Sequence, residues 1–389
     1  MAIAGRPGAQ TRSARATPLA AKLGLALFVT LLSLALGEAI VRVFDLGPQV
    51  NAVSKDNYRL SRNPVLQYEL APQSSDGGSR ISTLGLRDRE YGADKPQGVL
   101  RILVVGDSIA YGFGVSQGDA LSERLESLLA HYRVPGVTRF EVLNLGVTGY
   151  NALQVAENLR VRGLPLQPDL IVYVYCLNDP QAYSFELESL RAQLGSAERG
   201  YWDALLQSAG RSRLLVLSRY ALATFRDRGP GLPGPDLQWV AIANGSYADY
   251  FAELYRDTTA LARLQTGIDA MESAANAVNA KLAVAIMPVF VDLDDYRLRA
   301  LHAQVARMFE QREIPVYDLL PAYTALLHQA GPVFIHNALH PNEIGHRLAA
   351  LSLLRRLAQH GLLRNADRTP PCPDSELDRV LCGAADAAN

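Results

Sequence analysis

Short runs of apolar residues recur along the chain and alternate with stretches whose apolar positions have helical spacing. The apolar runs predict five strands, at 101–105, 140–145, 170–175, 282–287 and 315–317. The helical spacing predicts helices at 119–132, 151–162, 263–279, 296–312 and 342–359. Strands that are apolar throughout and alternate with helices form parallel sheets covered on both faces. The pattern therefore predicts an α/β protein, a three-layer α/β/α sandwich with a flavodoxin-like parallel five-stranded sheet.

The remaining parts of the chain do not follow this alternation. A polar stretch rich in turn residues precedes the first strand and indicates an extended lead-in, and a turn-rich stretch after the third strand indicates an insertion. We therefore divide the chain into a leader and anchor at 1–45, a lead-in at 46–98, an α/β domain at 99–360 with an insertion at about 182–262, and a C-terminal tail at 361–389.

The N-terminal segment predicts the compartment. Basic residues precede an uncharged apolar run at 23–36, and this order keeps the N-terminus in the cytoplasm and sends the rest across the membrane. The run alone is short for a span of ~20 residues and has the length of a signal-peptide core. Glu38 and Arg42 share a helix face, however, and can pair, so that 20–44 form one transmembrane helix. We favour this uncleaved anchor over a cleaved signal peptide, and expect a single-pass protein of the inner (cytoplasmic) membrane with its globular domain on the periplasmic or extracellular side.

Composition excludes some classes of function. Lys and Arg number 38 against 39 Asp and Glu, and no basic cluster is interleaved with aromatic residues, so nucleic acid is not an expected partner. The three cysteines, Cys176, Cys372 and Cys382, lack the paired spacing of a zinc site. Cys372 and Cys382 are either unrelated thiols or a small disulfide loop, which would require an oxidising compartment.

Two residues with the chemistry of a nucleophile and a base follow predicted strands. Ser108 comes directly after the first strand on a glycine-containing turn into a helix, where the helix N-terminus stabilises developing negative charge. Asp107-Ser108 is also compatible with a simple capped turn. His340 stands before Pro341 at the start of the last helix, which suits a general base. The three histidines at 336–346 lack the pairing with a carboxylate that zinc proteases have, so we expect no metal site.

Two other strands end in hydrogen-bond donors. Gly149 lies in a glycine-rich turn after the second strand, and Asn178 follows the third. Parallel strands present their carboxyl ends at one edge of the sheet, so these segments are expected to meet there. The N–H groups of Ser108 and Gly149 and the side chain of Asn178 would then converge on one oxyanion, as acyl transfer requires.

These four segments, in this order and spacing, resemble the SGNH/GDSL hydrolase superfamily over roughly 99–358. The chain looks like the bacterial, N-terminally membrane-anchored branch, which carries a lead-in similar to Thr83-Leu84-Gly85-Leu86-Arg87-Asp88. The resemblance implies a serine esterase without metal or cofactor. It implies the following roles: Ser108 as nucleophile, His340 as base, and Ser108, Gly149 and Asn178 as the oxyanion hole.

The chain departs from the family pattern at two positions. The Asp usually found three residues before the catalytic His is Asn337, which brings no charge and can favour the wrong tautomer. Three outcomes are open: a Ser–His dyad with Asn337 or a backbone carbonyl orienting His340, substitution by Asp318 or Asp179, or loss of catalysis with binding retained. The usual glycine two residues before Asn178 is Cys176, which we interpret as a buried structural thiol.

The leading hypothesis is a serine esterase that removes O-acyl groups from an envelope or extracellular carbohydrate through an acyl-serine, with acetyl as the favoured acyl group. One alternative is an O-acyltransferase or lipolytic esterase of the same fold. A second is a catalytically weak binding or assembly protein of the envelope, which the exchange to Asn337 motivates.

Overall fold

A computed structural model describes most of the α/β portion of the chain. The described residues are 19–43, 54–182 except 76, 77 and 93, the single positions 186, 187, 190, 193 and 194, and 247–361, 363 and 376–386. Most of the predicted insertion lies outside these residues, and so does Cys372 of the tail. The domain boundaries given above stay a prediction.

The strands and helices of the described residues are as follows, in chain order. The strands are β1 Tyr58–Leu60, β2 Tyr68–Leu70, β3 Val99–Gly106, β4 Arg139–Asn144, β5 Leu170–Tyr175, β6 Lys281–Ile286 and β7 Val316–Asp318. The helices are α1 Leu19–Val43, α2 Ser108–Tyr111, α3 Leu121–Leu129, α4 Ala152–Asn158, α5 Tyr247–Leu254, α6 Thr258–Ala277, α7 Arg299–Glu310, α8 Leu320–Ala330, α9 Glu343–Gln359 and α10 Glu376–Asp386.

Five strands form the central parallel sheet in the order β4-β3-β5-β6-β7, and every neighbouring pair is parallel. Strands β3 and β5 are buried at every position because they have strands on both sides and helices above and below. Helix α3 packs against α9, and α4 packs against α6. With right-handed crossovers, these two pairs cover opposite faces. The predicted α/β fold with a five-stranded parallel sheet is confirmed.

The strand order reverses at β3, because the chain moves to β4 on one side of it and then to β5 on the other. In open parallel sheets such a reversal leaves a crevice at the carboxyl ends of the strands, where ligands bind. The fold therefore places its natural binding site at the ends of β3, β4 and β5.

The lead-in contributes a small antiparallel hairpin, β1 paired with β2, in which Tyr58 faces Leu70. Tyr58 and Tyr68 are buried, and their rings pack against Tyr111 and Tyr150 respectively. The hairpin thus covers the α2 helix and the turn that follows β4, and the lead-in is part of the packed core.

Helix α1 spans 25 residues and carries exposed apolar side chains, including Leu25 and Phe28. In the part of the chain that the structure describes, no helix combines the length and apolarity needed to cross a membrane. The predicted transmembrane anchor therefore stays a prediction.

The tail contains a helix that the sequence pattern did not predict. Helix α10 packs on α8 and α9, and the Arg355 side chain of α9 donates to the Cys382 carbonyl. Cys382 is disulfide-bonded, whereas Cys176 is a free, buried thiol. The proposed partner Cys372 lies outside the described residues.

Candidate active site

Ser108 opens the one-turn helix α2 at the carboxyl end of β3. Asp107 caps this helix by accepting a hydrogen bond of 3.0 Å from the Ile109 N–H. The preceding Gly106 has φ 152°, and a Cβ there would lie 2.6 Å from the Val174 carbonyl of β5. Glycine at this position therefore allows the sharp turn that brings the serine hydroxyl to the sheet edge.

His340 is held in a closed loop between α8 and α9. The Asn342 N–H donates to the Phe334 carbonyl at 2.9 Å, and Ile335 and Pro341 form an antiparallel bridge. This closure fixes the loop across the end of the sheet. The His340 Nε2 lies 2.8 Å from the Ser108 Oγ, although 232 positions separate the two residues.

Asn337 occupies the position that orients the imidazole. Its Oδ1 lies 2.9 Å from His340 Nδ1 and also accepts from the backbone N–H groups of Leu339 at 2.9 Å and His340 at 3.0 Å. A backbone N–H can only donate, so the atom facing the imidazole is the amide oxygen rather than the nitrogen. His340 Nδ1 must therefore carry the proton, and Nε2 is free to accept the proton of Ser108.

Burial, followed by the charges of the neighbouring His336 and His346, lowers the pKa of His340 to about 3. The Phe113 ring contributes to this burial because its centroid lies 4.7 Å from that of His340. The imidazole is consequently neutral at physiological pH, the state that a general base needs.

The two aspartates considered as substitutes for Asn337 are engaged elsewhere. Asp318 accepts from His302 Nδ1 at 2.9 Å and from the Leu320 N–H at 3.0 Å. Asp179 accepts from the Tyr173 hydroxyl. Neither contact involves His340, so of the three outcomes the geometry fits the one in which Asn337 orients the base.

The turn after β4 lies directly beside the nucleophile helix. A Cβ on Gly146 would collide with the backbone of Tyr111, the last residue of α2. Gly149 has φ 78°, and a Cβ there would collide with Glu186 Oε2, so both conformation and space favour glycine. Within the described part of the chain, the backbone N–H groups of Ser108 and Gly149 donate no hydrogen bond and remain available to a ligand.

Asn178 reaches the same edge from the end of β5. Its Nδ2 donates to Asp107 Oδ2 at 3.0 Å. A side-chain amide has two N–H groups, so one remains for an oxyanion. Asp107 thus caps α2 and holds Asn178 at once, a second function that the sequence reasoning missed because only the capping role is local.

Cys176 is buried as interpreted from the sequence. Its Sγ donates to Asp107 Oδ1 at 3.2 Å. Burial raises the pKa of the thiol well above its usual value, and the charge of Asp107 adds to the effect. The group stays protonated and is not a competing nucleophile.

The described residues contain no group of three or more His, Cys, Asp or Glu side chains that could hold a metal ion. What the edge does hold is a hydroxyl, an oriented neutral imidazole and free N–H donors. This set can activate the hydroxyl for attack and bind a negatively charged oxygen, without further groups.

Comparison with solved structures gives matches of low identity. A two-domain esterase active on acetylated mannans matches at 12 % identity with a TM-score of 0.36. The match covers 72 % of this chain and 54 % of the esterase, so this chain spans about half the length of that protein. The lipase/acylhydrolase from Enterococcus faecalis matches at 15 % identity, TM-score 0.38, covering 67 % and 96 %. A catalytic mutant of the acetylxylan esterase Axe2 from Geobacillus stearothermophilus matches at 14 %, TM-score 0.40, covering 66 % and 94 %.

No curated protein sequence matches the chain. A family model, described as "GDSL-like Lipase/Acylhydrolase family", matches residues 104–348, which is more than half of the chain. The match contains the residues assembled above, namely Ser108, Gly149, Asn178, Asn337 and His340. The lead-in hairpin lies outside it.

Proposed function

The chain belongs to the GDSL-like lipase/acylhydrolase family and is by that membership a carboxylic ester hydrolase, and we propose that it cleaves O-acyl esters of carbohydrates through an acyl-serine at Ser108. The observation that carries this mechanism is the chain of contacts from Ser108 Oγ through both nitrogens of His340 to Asn337 Oδ1.

The first half-reaction acylates the serine. His340 Nε2 takes the proton of Ser108 as Oγ bonds to the ester carbonyl carbon. The negative charge that develops on the carbonyl oxygen is bound by the N–H groups of Ser108 and Gly149 and by the Asn178 amide. Collapse of this intermediate breaks the bond to the alcohol oxygen, which leaves with the proton held by His340.

The second half-reaction uses water in the same way. His340 takes a proton from water, whose oxygen attacks the acyl carbon, and the same donors bind the charge. Breaking the acyl–Oγ bond returns the proton from His340 to Ser108 and releases the carboxylic acid. Asn337 holds the imidazole throughout but supplies no negative charge to the imidazolium, so the rate is expected to lie below that of a variant with Asp.

Two features support the proposal of a carbohydrate substrate. The partly exposed Phe113 ring packs against His340, and the exposed His336 ring packs against Phe113. Both rings can offer a flat face to a sugar. The N-terminal sequence indicates a site outside the cytoplasm, where acylated polysaccharides occur. Acetyl is the acyl group we favour, and acyl transfer to a sugar or cleavage of lipid esters would use the same groups.

We further propose that the N-terminal helix anchors the protein at the inner membrane with the hydrolase domain outside the cytoplasm. The exposed apolar side chains of α1 and the basic residues before it support this. The disulfide at Cys382 also suits an oxidising compartment.

Turnover of p-nitrophenyl acetate by the full chain and by Ser108→Ala tests the function. We expect the variant to lose at least about 1000-fold in kcat, because the nucleophile is removed. Equal turnover by the two proteins would refute the mechanism, and absence of turnover in both would favour the binding-protein alternative. Release of acetate from acetylated xylan or mannan, compared with an ester lipid, then tests the substrate class.

A further inference from the structure

The peptide unit between Thr148 and Gly149 sits at the centre of the turn after β4. The Tyr150 N–H donates to the Val147 carbonyl at 3.2 Å, which closes a four-residue turn. Within this turn only Gly149 has a positive φ, of 78°. Such a turn leaves its central peptide without a partner of its own, so the orientation of that peptide depends on its surroundings.

One hydroxyl group donates a hydrogen bond to this peptide from the side of the β1–β2 hairpin. Tyr68 of β2 donates from its Oη to the Thr148 carbonyl at 2.7 Å, in a fully buried setting. Tyr68 is itself held by Tyr150, whose hydroxyl donates to the Tyr68 carbonyl at 2.5 Å and whose ring meets it edge to face at 5.2 Å. The donor that fixes the carbonyl is therefore itself fixed.

A trans peptide is planar, and its C=O and N–H point in opposite directions. When Tyr68 holds the Thr148 carbonyl on the hairpin side, the Gly149 N–H points away from the hairpin, and it is free of partners in the described part of the chain. A hydrogen bond to the carbonyl also polarises the unit and strengthens its N–H as a donor.

We propose that Tyr68 is a positioning residue that aims the Gly149 N–H into the oxyanion hole. The proposal rests on the proposed esterase mechanism and adds to it a residue from outside the part of the chain that matches the family model. It also gives the lead-in a function, because strand β2 supplies the residue that holds this peptide.

Tyr58 provides a matched control. It lies on the partner strand β1, is also buried, and donates from its hydroxyl to the Thr148 Oγ1 at 3.1 Å. Its hydroxyl thus contacts the same residue through the side chain and leaves the peptide untouched. Tyr58→Phe and Tyr68→Phe each remove one buried hydroxyl and keep the ring, so a difference between them reports the peptide contact.

The experiment measures kcat, KM and the affinity for phenylboronic acid in the full chain and both variants. Boronic acids form a tetrahedral adduct with serine and so report binding of the oxyanion. We expect Tyr68→Phe to lower kcat and boronate affinity by at least about tenfold each, with KM within about twofold, since one donor of the hole is worth 10²–10³ in kcat. Tyr58→Phe should keep all three values within about twofold.

Two results would overturn the proposal. One is a Tyr68→Phe variant whose kcat and boronate affinity stay within about twofold of the wild type. The other is an equal loss in both variants, which would assign the effect to packing of the hairpin. Failure of the esterase mechanism itself looks different, because Ser108→Ala would then turn over ester as fast as the wild type.

Discussion

Asn337 shows how one residue can satisfy geometry without satisfying electrostatics. The sequence alone indicates that the Asn337 amide can favour the wrong tautomer of the His340 imidazole. The backbone N–H groups of Leu339 and His340 fix the amide oxygen toward His340, which removes that difficulty. The sequence could not reveal this because it depends on the tight loop conformation. What remains missing is the negative charge that would stabilise the imidazolium.

Asn337→Asp should therefore raise the rate of ester hydrolysis. We expect kcat to increase at least about tenfold, because the reverse exchange in a comparable triad costs about 10⁴-fold. Asn342→Asp is the control. Asn342 caps α9 through its Oδ1 and does not contact the imidazole, so the same added charge should leave kcat within about threefold. A fall in kcat for Asn337→Asp would contradict the role assigned to Asn337.

The low pKa of His340 predicts the pH dependence of the reaction. Burial, followed by the charges of His336 and His346, places this pKa at about 3. A lowered pKa keeps the base unprotonated as the pH falls, so kcat/KM should stay level from pH 7 to about pH 5. In Asn337→Asp the new carboxylate raises the pKa, and the acid limb should move to higher pH. A wild-type acid limb at or above pH 6.5 would contradict the buried, neutral imidazole.

At the scale of elements, the strands were easier to predict than the helices. All five sheet strands lie within two residues of their predicted ends, because each contains apolar residues that the sheet buries. Helix α8 was missed, since it follows β7 almost directly and begins at Leu320 with Pro321 in its first turn. Helix α10 was also missed, because its helical state depends on packing against α8 and α9.

Helix α9 contains a histidine that should make folding sensitive to acid. His346 is fully buried, and neither ring nitrogen has a hydrogen-bond partner among the residues that the structure describes. Burial and then the charge of Arg87 lower its pKa, Asp119 opposes the effect, and the resulting pKa is about 3. The folded state therefore binds fewer protons than the unfolded state between about pH 6.5 and 3, and stability is lost as the pH falls through that range.

His346→Leu tests this element directly. The slope of unfolding free energy against pH below 6.5 should become shallower than in the wild type, by up to ~1.4 kcal/mol per pH unit. Urea unfolding at pH 7, 6, 5 and 4 measures it. His328→Leu is a control, since His328 lies on the surface of α8. An unchanged slope in His346→Leu would show that this imidazole is charged in the folded protein.

At the scale of the whole molecule, topology decides where the chemistry lies. Ser108, Gly149 and Asn178 follow three adjacent strands of one parallel sheet, so the sequence predicted their common edge. The contact of Tyr68 with Thr148 could not be predicted, because it joins a short hairpin to a distant turn and leaves no periodic signal. The sequence thus predicts the residues that follow strands, and the structure adds the residues that hold them.

The location of the protein is also a property of the whole chain. If α1 is an anchor, the full chain should remain in the membrane pellet after a high-pH carbonate wash. The double substitution Phe28→Arg and Leu32→Arg should release it, since each cation at a helix centre costs about 2.5–3.5 kcal/mol of insertion free energy. Phe28→Leu with Leu32→Ile is the matched control. A wild-type chain in the supernatant would refute the anchor and leave the hydrolase mechanism untouched.

The central claim is that Ser108 becomes a nucleophile because His340 takes its proton. Treating the full chain with a fluorophosphonate and mapping the adduct by peptide mass spectrometry tests this directly, since only an activated serine displaces the fluoride. The account predicts one adduct, on Ser108, in the wild type and a loss of labelling rate of at least about 100-fold in His340→Ala. An adduct on a different residue, or equal labelling of Ser108 without His340, would contradict it.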